Sequence, residues 1–530
     1  MKERVLITDS LDPASVELLE EGGFEAYERP GLSGDELLAA ARDAVGWIVR
    51  SGTTITRELI EAAPSLRVIG RAGVGVDNID VEAATRRGVV VINAPEGNTI
   101  STAEHACAMI LALARQIPVA DRSMRDGAWD RKRFVGKELY GKTLGVVGAG
   151  KVGRAVGERM SSFGMRVLGT DPLVSDEVAK ESSIELVDFD TLVEASDVIS
   201  LHAPLTDATR LLFGAEVFAR CRGGVLLVNC ARGGLVDETA LLAALEGGRV
   251  GGAALDVFAE EPPGGAFTPV LRHPNVICTP HIAASTAEAQ KKVAAQVTEQ
   301  VVRGLRGESV STTVNAAAVR LSSRPDVRPF VELAIVLGRI AAKLSSPHPI
   351  RRVTVTGAGD VPKAAREVLT VAALAGVLGE LHDIRVNLVN ATALAEEAGL
   401  PVHLDWASAS ETYQHHVSVE LEADSGWGAI RGALFARDEP RIVAVGGYEL
   451  EVRPAGTMLF YRNIDRPGML ASVGAIVARA GVNIGSMALG RRGAGESALT
   501  VMHLDESLGA SDLDAIRALE GLSGVRQIEI

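Results

Sequence analysis

Three short segments, each after an apolar run, carry side chains of complementary chemistry. They hold Arg232 in Asn229-Cys230-Ala231-Arg232-Gly233-Gly234, Glu261 in Asp256-Val257-Phe258-Ala259-Glu260-Glu261-Pro262, and His281 in Pro280-His281-Ile282-Ala283-Ala284-Ser285-Thr286. An imidazole can take a hydroxyl proton near neutral pH. A carboxylate can orient that ring and stabilise its charged form. A guanidinium can hold a substrate carboxylate through its planar fork of donors. Together they form a set suited to oxidising a secondary alcohol next to an acid group. Singly, each has a plainer explanation: a surface ion pair for Arg232, a solvated loop acid for Glu261, a helix cap for His281.

Such a reaction needs a hydride acceptor, and Gly148-Ala149-Gly150-Lys151-Val152-Gly153 reads as a loop that holds one. An apolar strand candidate, Thr143–Val147, precedes it, a helical pattern over 152–163 follows, and the next strand candidate, Arg166–Thr170, ends at Asp171. In this context Gly148 permits the tight turn, Gly150 lets the backbone approach a pyrophosphate, and Gly153 lets helix pack on strand. The helix N-terminus offers free N–H groups and a positive dipole end. Asp171 can accept hydrogen bonds from the ribose hydroxyls and would repel a 2′-phosphate, which favours NAD over NADP.

These segments need strand ends to present them, because ligands in open α/β sheets bind at the carboxyl ends of the strands. The first hundred residues alternate strands (5–8, 47–49, 68–69, 89–92) with helices such as 14–21, which predicts a parallel sheet covered on both faces. Residues 101–114 read as a buried helix opened by a Ser/Thr–Glu capping pattern. A second α/β unit runs from Lys142 to about Pro280, and a long amphipathic helix to about Leu305 returns the chain to the first unit. Ser322–Pro329 reads as boundary punctuation, and the stretch 316–453 carries its own strands and helices without a chemical motif. The last 75 residues read β-α-β-β-α-β, the ferredoxin-like order. The expected fold class is therefore α/β: two doubly wound, Rossmann-like parallel-sheet domains, then an α+β domain and a ferredoxin-like domain.

Composition fits this reading. The chain has 530 residues, 47% hydrophobic and 23% charged, enough for three or four cores. The net charge of −14 argues against a general nucleic-acid binder but allows a local basic pocket for a small anion. Cys107, Cys221, Cys230 and Cys278 form no metal-ligand spacing and are expected to be buried free thiols, and no metal is expected. The N-terminus does not read as a signal peptide, and no apolar run reaches the length of a spanning helix. A cytoplasmic protein without a membrane partner is the expectation.

The chain resembles the D-isomer-specific 2-hydroxyacid dehydrogenases, and among them the long form acting on 3-phospho-D-glycerate. The resemblance rests on Gly70-Arg71-Ala72-Gly73-Val74-Gly75-Val76-Asp77-Asn78, the Gly148 loop, 228–237, 256–262 and 280–286, and with the C-terminal domains it covers essentially the whole chain. It implies catalytic roles for Arg232, Glu261 and His281. It implies NAD contacts at Lys151, Val152, Asp171, Ala203, Cys230, Ala231, Asp256, His281 and Ala284, beside the three glycines. Substrate contacts fall on Arg50, Ser51, Gly73, Val74 and Asn98, together with Arg232 and His281. Arg131, Lys132 and Arg133 are further candidate cations, or a solvated basic face.

The implied domains are a discontinuous substrate domain (1–98 with 286–315), an NAD domain (99–285), an intervening domain (316–453) that can take an anionic ligand, and an ACT domain (457–530). The ACT domain implies an L-serine effector at Asn463, Asp465 and Asn483, or else a dimerising module that binds nothing. The implied reaction is oxidation of 3-phospho-D-glycerate to 3-phosphooxypyruvate, opening L-serine synthesis, in a homotetramer. The alternatives are a glyoxylate or hydroxypyruvate reductase and an NAD-sensing corepressor on the same fold. One departure stands out: the family has Leu-Gly after the catalytic His, whereas this chain has Ile282-Ala283.

Overall fold

The structure, a computed structural model, describes every residue except 1, 264–268, 309, 323, 360–362, 383, 408–414, 437 and 494. The chain forms two compact units, residues 94–296 and residues 1–93 with 297–530.

The 94–296 unit is built on a seven-stranded sheet. From one edge the strands run Val276–Cys278, Val250–Leu255, Val225–Asn229, Val198–Leu201, Thr143–Val147, Arg166–Thr170 and Glu185–Leu186. All neighbouring pairs are parallel. The central strands are buried throughout, which is why they read as unbroken apolar runs rather than alternating ones. The order reverses between Thr143–Val147 and Val198–Leu201, and a crevice opens at such a switch point. Helices cover both faces and give two separate apolar clusters, one around Val146, Val228 and Ala254, the other around Leu168, Leu227 and Leu255.

The other unit opens with a five-stranded parallel sheet ordered Glu25–Glu28, Arg4–Ile7, Ala44–Val49, Val68–Arg71, Val90–Ile92. The return helix expected after His281 is Ala287–Leu305. Its last turns lie so close to this sheet that a methyl at Gly70 would fall 2.5 Å from Val301 and 2.8 Å from Val297. The intervening segment forms a six-stranded mixed sheet with the helices Arg328–Ser345 and Lys363–Gly379 packed together on it. The C-terminal segment has the strand order of a ferredoxin-like sheet: Ile484–Arg491, Ser497–Leu504, Thr457–Ile464, Leu522–Glu529. Alternation along Thr457–Ile464 buries both its faces. Met458 and Phe460 join the intervening core, while Leu459 and Tyr461 pack under the domain's own helices.

Two expectations need correction. The helix Thr99–Ala114 begins at Asn98, and the Ser101–Glu104 capping pattern is not used; the Ser101 hydroxyl bonds Thr286 instead, 2.7 Å away. The Ser322–Pro329 stretch separates the helix Ala317–Ser322 from the 18-residue helix Arg328–Ser345, and its Pro329 lies in the first turn of the latter. There the proline's missing N–H costs nothing, because first-turn donors have no partner within the helix. Cys107, Cys221 and Cys230 are buried free thiols as expected, but Cys278 is exposed at the sheet edge. Among the described residues no helix is long and apolar enough to cross a membrane, and no cluster of ligating side chains could hold a metal.

Candidate active site

Three neighbouring strands of the larger sheet deliver the candidate catalytic segments side by side. The strand Val225–Asn229 ends in a buried Asn229 whose side chain ties the following turn, accepting from Ala231 N at 3.0 Å and donating to the Arg232 carbonyl at 2.9 Å. The next residue, Gly233, is in contact with the Phe258 carbonyl, leaving no room for a Cβ. The Arg232 turn is therefore pressed against the segment that carries Glu261.

Glu261 spans two loops. One carboxylate oxygen accepts the Phe258 N–H at 3.0 Å, and the other lies 2.6 Å from Nδ1 of His281. Burial pushes this carboxyl's pKa up, but the hydrogen bonds from His281 and Phe258 and the imidazole charge outweigh it and hold it below the ordinary value. An ionised carboxylate only accepts hydrogen bonds, so Nδ1 of His281 must carry the proton. That tautomer leaves Nε2 with its lone pair as the proton acceptor. The His281 side chain is 46% exposed and Glu261 34% exposed, so the pair faces solvent and is open to a ligand.

His281 has a left-handed backbone, φ +52°. For a side chain without short-range polar compensation this conformation is costly, and it persists only where the surroundings enforce it. Asp256 enforces it. Its carbonyl accepts the His281 N–H at 2.8 Å, and its carboxylate oxygens accept Ile282 N–H and Ala283 N–H, both at 2.9 Å. Thr279 and His105 complete the cluster, with His105 Nε2 3.1 Å from the Thr279 hydroxyl and 3.4 Å from Asp256 Oδ1. Asp256 is wholly buried; desolvation raises its pKa, and the hydrogen bonds from His105, Thr279, Ile282 and Ala283 more than reverse this. The Ile282-Ala283 departure now has a reading. Ala283 is buried and outside the left-handed region, so this backbone does not use glycine's freedom there.

At the switch point Gly148 adopts φ +93°, and a Cβ on it would lie 2.7 Å from Ala203 N. Gly153 touches the Gly148 carbonyl, so helix and turn pack closely. A Cβ on Gly150 would meet nothing within 4 Å, which leaves the start of the helix Lys151–Ser162 open to a phosphate. Asp171 ends its strand, with one oxygen accepting Leu173 N at 2.9 Å. This cradle fits a dinucleotide. Ala203, Ala231, Ala284 and Val152 are half-buried around it, and Cys230 and Asp256 are buried, so any contact from these last two is through the backbone. Lys151 does not point freely at the loop: its ammonium pairs with Glu96 and lowers that carboxyl's pKa.

The candidate substrate residues divide between the units. Asn98 lies in 94–296, with a buried side-chain oxygen that has no hydrogen-bond partner among the described residues. Arg50, Ser51, Gly73 and Val74 lie in the other unit. There Asp9 fixes the 50–53 loop through Arg50 N–H (2.9 Å), Gly52 N–H (3.2 Å) and the Thr53 hydroxyl (2.9 Å). Asn78 donates to the Arg50 and Thr53 carbonyls from the far side. Val74 is exposed, and the Arg71 side chain lies against Gly73. Arg131, Lys132 and Arg133 are exposed, and Arg133 stacks over Phe134.

Known proteins share the domains of this chain. Residues 107–283 match the D-isomer specific 2-hydroxyacid dehydrogenase NAD binding domain, 326–446 the D-3-phosphoglycerate dehydrogenase intervening domain, and 457–521 the ACT domain. The D-3-phosphoglycerate dehydrogenase of Methanocaldococcus jannaschii is 40% identical over 528 residues, 99% of this chain and all of that protein. The human protein of the same name is 41% identical over 490 residues, 91% of each chain. This chain belongs to the D-3-phosphoglycerate dehydrogenase family. It is accordingly an NAD-dependent dehydrogenase. Solved structures resemble its dehydrogenase part. A glyoxylate reductase from Paecilomyes thermophila is 32% identical with TM-score 0.55, covering 59% of this chain and 98% of its own. The D-lactate dehydrogenase of Aquifex aeolicus, solved with NAD and lactic acid, is 30% identical with TM-score 0.51, covering 57% and 96%.

Within the ACT domain the three candidate effector residues have internal partners. Asn463 is buried, donating to the Ile464 carbonyl and accepting from Thr500 at 3.1 Å. Asp465 is ion-paired with Arg491, and Asn483 donates to Asp505 at 2.8 Å. The structure thus does not converge them on one open cavity. Sequence reading also missed the roles of Asp9 and His105. Asp9 and His105 had a usable signal, a polar residue at a strand end and a polar residue inside an otherwise apolar helix.

Proposed function

We propose that this enzyme oxidises 3-phospho-D-glycerate to 3-phosphooxypyruvate with NAD, the step that opens L-serine synthesis. The observation that carries the chemistry is the hydrogen bond from His281 Nδ1 to an ionised Glu261, which leaves Nε2 as a base. Full-length relatives that bear the name carry the choice of substrate. The Gly148–Gly153 turn, the following helix and Asp171 would hold NAD, which would supply the hydride acceptor for C2 of the substrate. Nε2 of His281 takes the C2 hydroxyl proton, and Glu261 stabilises the imidazolium that results. Arg232 holds the substrate carboxylate and fixes C2 in place. Arg50, at the Asp9-braced loop, receives the 3-phosphate, with Ser51, Gly73, Val74 and Asn98 bordering it.

We further propose that the ACT domain binds L-serine as a feedback inhibitor. Its amine would compete with Arg491 for Asp465, and the open N–H groups at the start of the helix Met469–Arg479 would hold its carboxylate. The assembly we favour is a homotetramer in the cytoplasm. Substrate choice is tested by following NADH with 3-phosphoglycerate, D-glycerate and D-lactate as donors, and its oxidation with glyoxylate and hydroxypyruvate as acceptors. Preference for the phosphorylated acid supports the proposal. Efficient glyoxylate reduction without phosphoglycerate turnover would replace it with the reductase reading.

A further inference from the structure

Remote from the catalytic segments in sequence, the N-terminal sheet and the intervening segment enclose a cleft of about 490 Å³. Three arginines line it: Arg67 before the strand Val68–Arg71, Arg87 after the helix Val81–Arg86, and Arg385 in the turn before Ala391–Glu397. Among the described lining residues Glu3 is the one carboxylate, and it pairs with Arg67, so these residues keep two positive charges in excess. That is notable in a chain of net charge −14. Arg67 also keeps a buried Nε without a hydrogen-bond partner among the described residues. Burial, and then the Arg67 charge, lower the pKa of Arg385, as expected where two cations come close together.

The cleft is a built feature. Asn390, fully buried, donates to the Arg86 carbonyl at 3.3 Å, and Asn387 donates to the Gly88 carbonyl at 2.8 Å. Arg86 pairs with Glu397 across the same seam at 3.1 Å. These bonds satisfy the last carbonyls of the helix Val81–Arg86 and its turn, and they fix Arg87 relative to Arg385.

We propose that this cleft binds a small phosphate-bearing anion. Guanidinium forks match phosphate oxygens, and the excess of two positive charges matches a dianion. The volume is within the range of small-ligand sites and far exceeds one phosphate group. Val45, Leu66 and Ile384 supply an apolar wall for a short carbon skeleton, so a phosphate monoester fits better than the free ion. Arg67 leads directly into the strand that ends at the Arg71–Gly75 loop, which gives the ligand a short covalent path to the candidate substrate loop.

The test is calorimetric titration of the full-length protein, without NAD, by glycerol 3-phosphate and separately by inorganic phosphate. Arg385→Glu and Arg87→Glu are compared with wild type, and unchanged phosphoglycerate turnover in phosphate-free buffer shows that the variants fold. The expected result is a binding event weakened about tenfold or more in each variant, as for the loss of a charge-assisted contact. A monoester advantage identifies an organic phosphate as the ligand; equal affinity identifies free phosphate, within the same class. Isotherms that superimpose for wild type and both variants, or an absence of binding beyond the active site, would overturn the proposal.

Discussion

Replacing Glu261 by Gln tests the base–orienter pair at one atom. In the native site the two carboxylate oxygens do different work: one accepts the Phe258 N–H, the other the His281 Nδ1–H at 2.6 Å. Glutamine has one oxygen and one NH2 group, so only one of these bonds survives. If the NH2 faces His281, Nδ1 becomes an acceptor, the proton moves to Nε2, and the base is masked. If the oxygen faces His281, the tautomer is kept but the negative charge opposite the developing imidazolium is gone. A hydrogen bond to a charged group contributes about 1.5–3 kcal/mol. With side chains 34% and 46% exposed, solvent screening favours the lower end, about 1.5–2 kcal/mol. That converts to a fall of roughly 10–30-fold in kcat/KM as a floor, and more for the masked tautomer. Steady-state NADH formation with 3-phosphoglycerate measures it, and fluorescence titration checks that NAD affinity is unchanged. A kcat/KM within twofold of wild type, with NAD binding intact, would refute the assigned role of Glu261.

Three further outcomes follow from the same geometry. Asp256→Asn leaves at least one buried loop N–H without an acceptor, and we expect a destabilisation of roughly 2–4 kcal/mol at neutral pH. Because the Asp256 pKa is depressed in the folded state, its contribution is present above the ordinary carboxylate value and lost as pH falls through the lower folded value. The Tm gap between wild type and variant should therefore close in strongly acidic buffer; a gap that stays constant there would contradict the brace. Asp171→Ala should weaken NAD and narrow the preference over NADP, read as the ratio of kcat/KM for the two cofactors, and an unchanged ratio would remove Asp171 from the ribose site. Gly233→Ala must push apart the Arg232 and Phe258 segments, so we expect kcat/KM to fall by about tenfold or more with NAD affinity retained; full activity would show that the close approach is dispensable.

The residues that could be found in the sequence are those whose chemistry or backbone leaves few substitutes. Gly148, Gly150 and Gly153 were legible because turn, open approach and helix packing each exclude a side chain, and the structure shows those three environments in that order. The strands around them were legible as apolar runs because a parallel sheet buries both faces. Glu261 and His281 were found as a pair, and the 2.6 Å contact brings them together. What holds them was not legible. Asp256 acts through loop N–H groups some 25 residues on, and His105 reaches the same cluster from a helix far back in the chain, so the sequence can flag these polar residues but not the partners they bond. Asp9 braces the Arg50 loop in the same long-range way. Local capping misled at Ser101, whose hydroxyl found a better partner in Thr286.

The account stands on His281 as the group that removes the hydroxyl proton as hydride leaves C2. Rapid-mixing measurement of NADH formation in a single turnover, for wild type and His281→Asn preloaded with NAD, addresses this directly. We expect the hydride-transfer rate to fall by about 10²–10⁴-fold, the usual contribution of a positioned general base, while NAD affinity stays within twofold. A transfer rate within tenfold of wild type would contradict the account.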